Sequence, residues 1–198
     1  IGEGSSSNVY RARRKVPGAP SVAMQLYKAI NSSDGRNIDE LVIGAALDHA
    51  NILRLEGYFE APQLGAVLEW TVNWQSLGRP PSFDSVTRDT YAEGAAFSPQ
   101  FAATVACNVA NALEYVHAHG IMHGDLYAHN VLVRPSDGSA KLADWGAAVH
   151  YGVNSELALR FERIEMRAFA ILLEELLIRV EPTDERTDDV YLRPMRVL

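Results

Sequence analysis

The sequence predicts an α+β fold with its strands first and its long helices last, on three observations. Short β-branched or alternating runs crowd residues 1–70 and are broken by one helical stretch. Two long helical patterns follow, over 98–119 and 161–180. Between them, Met122-His123-Gly124-Asp125-Leu126-Tyr127-Ala128-His129-Asn130 and then Asp144-Trp145-Gly146 gather isolated acids, an amide and a glycine.

The first strand signals are Val9-Tyr10, after a Gly/Ser-rich start, and Ser21 to Lys28, after the turn Val16-Pro17-Gly18-Ala19-Pro20. Asn31 to Gly35 reads as a loop. Arg36 to Asp48 is helical, with Ile38, Leu41, Val42 and Ala45 on one stripe. Ile52 to Glu60 and Leu64 to Trp70 read as two strands joined at Pro62. Thr71 to Phe97 holds Gly78, Pro80, Pro81 and Gly94 and few periodic apolar residues, so it reads as a long loop, docked through Trp74, Phe83 and Tyr91.

Ser98-Pro99 is a helix start, an N-cap followed by proline in the first turn. Phe101, Val105, Val109, Ala112 and Val116 then keep helical spacing, with Cys107 read as a packing residue and His117 and His119 as surface or end-capping residues. Val131-Leu132-Val133 and Ala140 to Ala143 read as short strands. Ile164, Ala168, Ile171, Leu172, Leu176 and Leu177 mark the last amphipathic helix, and 181–198 reads as irregular.

The chain has 198 residues, enough for one or two domains with a core. Its 47% hydrophobic and 22% charged content is that of an ordinary globular chain. A net charge of −7 and a pI near 5.3 argue against nucleic acid or an anionic membrane as the main partner. The lone Cys107 cannot form an internal disulfide, which fits the cytoplasm or another reducing intracellular compartment. No apolar run reaches the roughly 18 residues of a membrane span, and no signal-peptide pattern opens the sequence. The sequence opens at Ile1, already inside a motif, so the expectation is a piece of a longer protein.

The central stretch carries chemistry. Asp125 is placed to accept a proton. Asn130 and Asp144 offer hard oxygen ligands of the kind magnesium takes, with a substrate's phosphates completing the shell. The ordered set His123, Asp125, Asn130 and Asp144-Trp145-Gly146 resembles the catalytic loop and metal-binding acid of the protein kinase superfamily, which read His-x-Asp-x-x-x-x-Asn and Asp-x-Gly. Ile1-Gly2-Glu3-Gly4-Ser5-Ser6-Ser7-Asn8-Val9 resembles that family's glycine-rich loop, and His49-Ala50-Asn51-Ile52 its junction after helix C.

The resemblance spans nearly all of 1–180. It implies a two-lobed protein-kinase-like fold, a small antiparallel sheet lobe (1–70) and a mostly helical, truncated lobe (71–198). Gly2 and Gly4 would approach phosphates through backbone N–H groups. Val9, Ala23, Leu68 and Leu132 would enclose adenine, and Glu69 would stand at the hinge. ATP and Mg2+ are the implied cofactors, the ion held by Asn130 and Asp144, with Asp125 orienting the attacking hydroxyl. Glu40 stands at the place of the helix C glutamate, and Glu165 where an aspartate usually holds the catalytic-loop backbone.

Several positions depart from the family. Gln25 replaces the phosphate-gripping lysine, and its amide is expected to meet Glu40. Lys28 points to the opposite face, and Arg11 is the alternative cation. Ser7 replaces the third glycine, Gly124 an arginine and Tyr127 a lysine or alanine. Gly44 falls where a bulky residue would pack on the residue after the metal acid, so Trp145 is expected to fill that space. The segment 147–160, with Tyr151 and Ser155, is short and lacks Ala-Pro-Glu, and the later docking helices are absent. Three readings stay open: a phosphotransferase acting on a hydroxyl of a protein substrate, weakened by Gln25; a pseudokinase scaffold or regulatory module bound to a protein partner; and a small-molecule kinase, suggested by His-Gly-Asp.

Overall fold

The computed structural model describes residues 2–3, 7–29, 31, 35–86, 88–153 and 156–182. Expectations for Gly4, for Ser155 and for most of 181–198 fall outside these residues.

Strands β1 (Gly2–Glu3), β2 (Ser7–Arg13), β3 (Ser21–Tyr27), β4 (Leu55–Phe59) and β5 (Gly65–Glu69) form one antiparallel sheet in the order β1-β2-β3-β5-β4. Register sets Val9 across from Gln25 and Ala23 across from Leu68. Alternation along β3 therefore turns Ala23, Gln25 and Tyr27 to one face. Helix α1 (Asn37–Ala46) lies beside this sheet, and its Leu41 packs with Tyr27 and Ala66 in a small core. Only Asn37 and Leu41 of α1 are buried, while Ile38 and Val42 are exposed. The expected stripe is thus narrower, because the helix meets the sheet along one edge.

The helical lobe is built on α2 (Pro99–Ala118) and α3 (Ala158–Leu177). Ser98 caps α2 by accepting from the Phe101 N–H at 3.1 Å. Val105, Val109, Ala112, Leu113 and Val116 are nearly inaccessible, as their spacing requires. Cys107 faces solvent instead of the core. Strands β6 (Gln75–Ser76), β8 (Val131–Val133) and β9 (Ala140–Leu142) form a small sheet, and β7 (Ile121–Met122) pairs with β10 (Val149–His150). Each fully buried aliphatic side chain here contributes about 1.5–3 kcal/mol.

The 71–97 stretch is not structureless. β6 pairs with β8, Arg79 bridges Thr90, and Phe97 bridges Val180. Trp74 and Tyr91 do pack on the body, but Phe83 stands fully exposed. No helix of the described residues is long and apolar enough to cross a membrane.

Candidate nucleotide and phosphotransfer site

The site forms where the loop after α2 meets the end of β9. Gly120 ends α2 in the left-handed region at φ +68°, and β7 follows. His123 is fully buried. Its Nε2 contacts the Ala143 carbonyl at 3.0 Å, its Nδ1 accepts from the Asp125 N–H at 3.3 Å, and its ring lies 4.6 Å from that of Trp145. The two termini of the site are thereby tied through one imidazole.

Glu165 of α3 holds the loop from below. Its carboxylate accepts from the backbone N–H groups of His123 (3.0 Å) and Gly124 (2.9 Å) and contacts His117 Nε2 at 2.8 Å. Burial pushes its pKa up, but those partners outweigh it and hold the group below the ordinary glutamate value. His117 is therefore a bridge to this carboxylate, not a surface or capping residue. The expected role of Glu165 matches its bonds.

Asp125 is directed by Asn130. A short 3-10 turn, Ala128–Asn130, brings the Asn130 amide back over the loop, where Nδ2 donates to the Asp125 carboxylate at 2.8 Å and to its carbonyl at 2.9 Å. Both amide N–H groups go that way, which leaves Asn130 Oδ1 as an acceptor. The Ala143 N–H donates to the Asn130 carbonyl at 2.9 Å, fastening this turn to the stretch that carries Asp144. Asp144 adopts φ +63°, which aspartate tolerates, and its Oδ1 accepts from the Gly146 N–H at 3.3 Å.

Above the loop a cleft of about 330 Å³ opens between the lobes. Val9, Ala23, Leu68 and Leu132 line it with Gln25, Glu69, Asn130 and Asp144. Asp125 does not line it; its carboxylate, 39% exposed, is bonded to Asn130, which does. Gly2, at the sheet edge opposite Val9, does not line the cleft. Nor does Glu40, because its turn of α1 aims it at Tyr27. Burial and then the Glu40 charge push the Tyr27 hydroxyl far above the ordinary phenol value. The Gln25 amide meets Ser7 Oγ at 3.1 Å, not Glu40. The atoms nearest a Cβ on Gly44 would belong to Leu55, at 3.6 and 3.7 Å, so Trp145 does not fill that space.

Among the described residues lining the cleft there is no lysine or arginine. Arg11 turns toward the hinge end, donating to Ser21 Oγ at 3.2 Å and lying over the Trp70 ring. Lys141 is bound to Glu69 at 2.7 Å. Among the described residues, the one ionisable nitrogen facing the cleft is on His129, which sequence reasoning passed over together with its partner Asp89. Burial pulls the His129 pKa down, yet the Asp89 hydrogen bond and the charges of Asp89, Asp125 and Asp144 hold it above the ordinary imidazole value. The only signal in the sequence was a second histidine beside Asn130, since an aspartate in an aperiodic stretch has no pattern to betray it.

Two oxygens, one from Asn130 and one from Asp144, suit magnesium, which takes one or two protein ligands and completes its shell with phosphate and water. Among the described residues no cluster of three or more His, Cys, Asp or Glu is gathered for a metal.

Comparison with known proteins agrees with this geometry. The family model described as protein kinase domain matches residues 1–178. The chain is 26% identical to an Aurora kinase of Schizosaccharomyces pombe, over 93% of this chain and 54% of that protein. It is 31% identical to serine/threonine-protein kinase Aurora-2 of Arabidopsis thaliana, over 76% of this chain and 50% of that protein. Against human calcium/calmodulin-dependent protein kinase type IV it is 30% identical, over 74% of this chain and 29% of that protein. The chain thus spans about half or less of the length of these relatives.

Proposed function

Since this chain belongs to the protein kinase domain family, we propose that it binds magnesium–ATP in the interlobe cleft and transfers the terminal phosphoryl group to a hydroxyl of a protein substrate, at a reduced rate. The observation that carries this reading is the bonded pair Asp125–Asn130, whose Asn130 lines an apolar cleft together with Asp144 and is joined through its carbonyl to the stretch bearing Asp144. Val9, Ala23, Leu68 and Leu132 exclude water from the base of the nucleotide. Asn130 Oδ1 and the Asp144 carboxylate would hold the ion, which when bound would neutralise charge on the phosphates. Asp125 accepts the hydroxyl proton as the new P–O bond forms and the bond to the diphosphate breaks.

The reduction in rate follows from Gln25. A neutral amide bonded to Ser7 replaces a cation, and losing one pre-placed donor costs about 10²–10³ in rate. The same observation favours a second reading, a regulatory module that binds nucleotide and a protein partner without turnover. The small-molecule reading rested on Gly124. That glycine has a local cause, since a Cβ there would collide with the Ala147 carbonyl oxygen.

The test is a thermal shift with ATP, with and without magnesium, followed by transfer of labelled phosphate to a general protein substrate. A magnesium-dependent shift with transfer that Asp125→Asn removes supports the enzyme. A shift with no transfer selects the regulatory module. No shift in either condition overturns both. At ATP one hundred times its Kd the expected stabilisation is about 2.7 kcal/mol.

A further inference from the structure

The stretch between β5 and α2 does more than connect the lobes. The Arg79 and Thr90 backbones bond each other at 2.8 and 3.0 Å and close a loop over residues 80–89. That closure delivers Asp89 into the protein, with its side chain completely covered. The approach is close: a Cβ on Gly78 would lie 2.9 Å from the Ala128 methyl and 3.4 Å from Asp89 Oδ2. Only a glycine lets this segment sit so tightly on the turn that carries Asn130.

The Asp89 hydrogen bonds among the described residues go to one residue of that turn. Its Oδ2 accepts from the His129 backbone N–H at 2.6 Å, and its Oδ1 and Oδ2 lie 2.9 and 3.0 Å from His129 Nδ1. A carboxylate only accepts, so Nδ1 carries a hydrogen and Nε2 is the nitrogen turned outward. Tyr127 stacks on the same ring at 5.5 Å. The His129 rotamer is thereby held on two sides, and Nε2 stands 4.0 Å from Asp125 Oδ2. Asn130 Nδ2, at 2.8 Å, and His129 Nε2, at 4.0 Å, thus both face the same oxygen, Asp125 Oδ2.

We propose that Asp89 is a positioning residue for phosphotransfer: through His129 it fixes the orientation of the Asp125 carboxylate and so couples the 71–97 segment to the chemical step. A buried carboxylate that served only to fasten a loop would need the backbone bond alone. The second bond, to the ring nitrogen, sets a side chain beside the reacting group. With Asn130 and the fixed imidazole both at Oδ2, an acceptor hydroxyl is expected to meet Asp125 at Oδ1. Misplacing such a group by about 1 Å costs up to about a hundredfold in rate.

The inference rests on the reading of Asp125 as the group that takes the acceptor's proton. It is tested on the full chain with Asp89→Asn and His129→Gln, the second keeping the backbone bond to Asp89 while removing the ring. Both are expected to lower kcat about ten- to hundredfold, and Asp89→Asn, outside the cleft lining, to do so with the Kd for magnesium–ATP unchanged. Nitrogen-15 correlation spectra of the wild type are expected to show the hydrogen on His129 Nδ1 and an Nε2 signal that moves in Asp125→Asn. Variants that melt earlier yet keep the wild-type kcat would reduce Asp89 to a fastener and overturn the inference. If the wild type transfers no phosphate, the functional reading fails separately. The coupling is then judged from the spectra, where an Nε2 signal unmoved by Asp125→Asn overturns it.

Discussion

At Gly124 the backbone runs at φ +82°, and the space a side chain would take is filled by the Ala147 carbonyl. Both the left-handed angle, worth roughly 1–2 kcal/mol against an L side chain, and the collision oppose substitution. Gly124→Ala is expected to lower stability by at least about 1–2 kcal/mol, read by denaturant melting. An arginine there, the common residue in related loops, would need the 147 stretch to move first. Gln25 is the opposite case, a residue with room for its replacement. Its amide lies in the cleft that also holds Asp144. Gln25→Lys would put an ammonium where phosphates are expected and raise transfer by roughly tenfold or more, part of the 10²–10³ that one positioned donor contributes. A rate no higher than wild type would mean that another cation already serves the phosphates.

Among the elements, α3 matters for the site through one carboxylate. Glu165 satisfies the buried backbone N–H of His123 and the part-buried one of Gly124, and a buried donor left unpaired costs about 1–3 kcal/mol. Glu165→Ala is expected to cost about 2–5 kcal/mol and to loosen the loop. Its folded pKa is depressed below the ordinary 4.5, so the carboxylate's contribution is fully present above that value. It fades as pH falls from 4.5 through the depressed folded value. Denaturant melts across this acid range should show the advantage of wild type over Glu165→Gln shrinking, while a constant gap would remove Glu165 from the linkage. The 71–97 segment reaches the same helix, where the Tyr91 hydroxyl donates to Glu175 at 2.9 Å and Arg88 pairs with Glu174 at 2.5 Å. It is a brace between α3 and the turn that carries Asn130.

For the molecule as a whole, the lobes are fastened along one side and open on the other. Leu47 and Ile52, from the stretch after α1, sit inside the core of the helical lobe. The Leu53 N–H donates to the Leu142 carbonyl and the Leu142 N–H to the Asn51 carbonyl, each at 2.8 Å. Asn51 Nδ2 adds a bond to the Ala140 carbonyl, and Glu69 meets Lys141. Ile52, at 1% exposure, is therefore a shared core residue. Ile52→Ala is expected to cost about 2–5 kcal/mol and to lower one common transition. Two separate transitions followed by circular dichroism would show that the lobes unfold independently.

The sequence by itself determined most of the elements and the family to which the loop belongs. Helical spacing found α2 and α3, and the ordered His123, Asp125, Asn130 and Asp144 named the site, because periodicity and motif spacing are local properties of a chain. Tertiary structure alone decided what those residues meet. Arg11 turned to the hinge, Gln25 to Ser7, Glu40 to Tyr27 and His117 to Glu165, none of which any spacing encodes. Asp89 was illegible for the same reason. Its partner lies 40 residues away, and only the closure of an aperiodic segment over a glycine brings the two together.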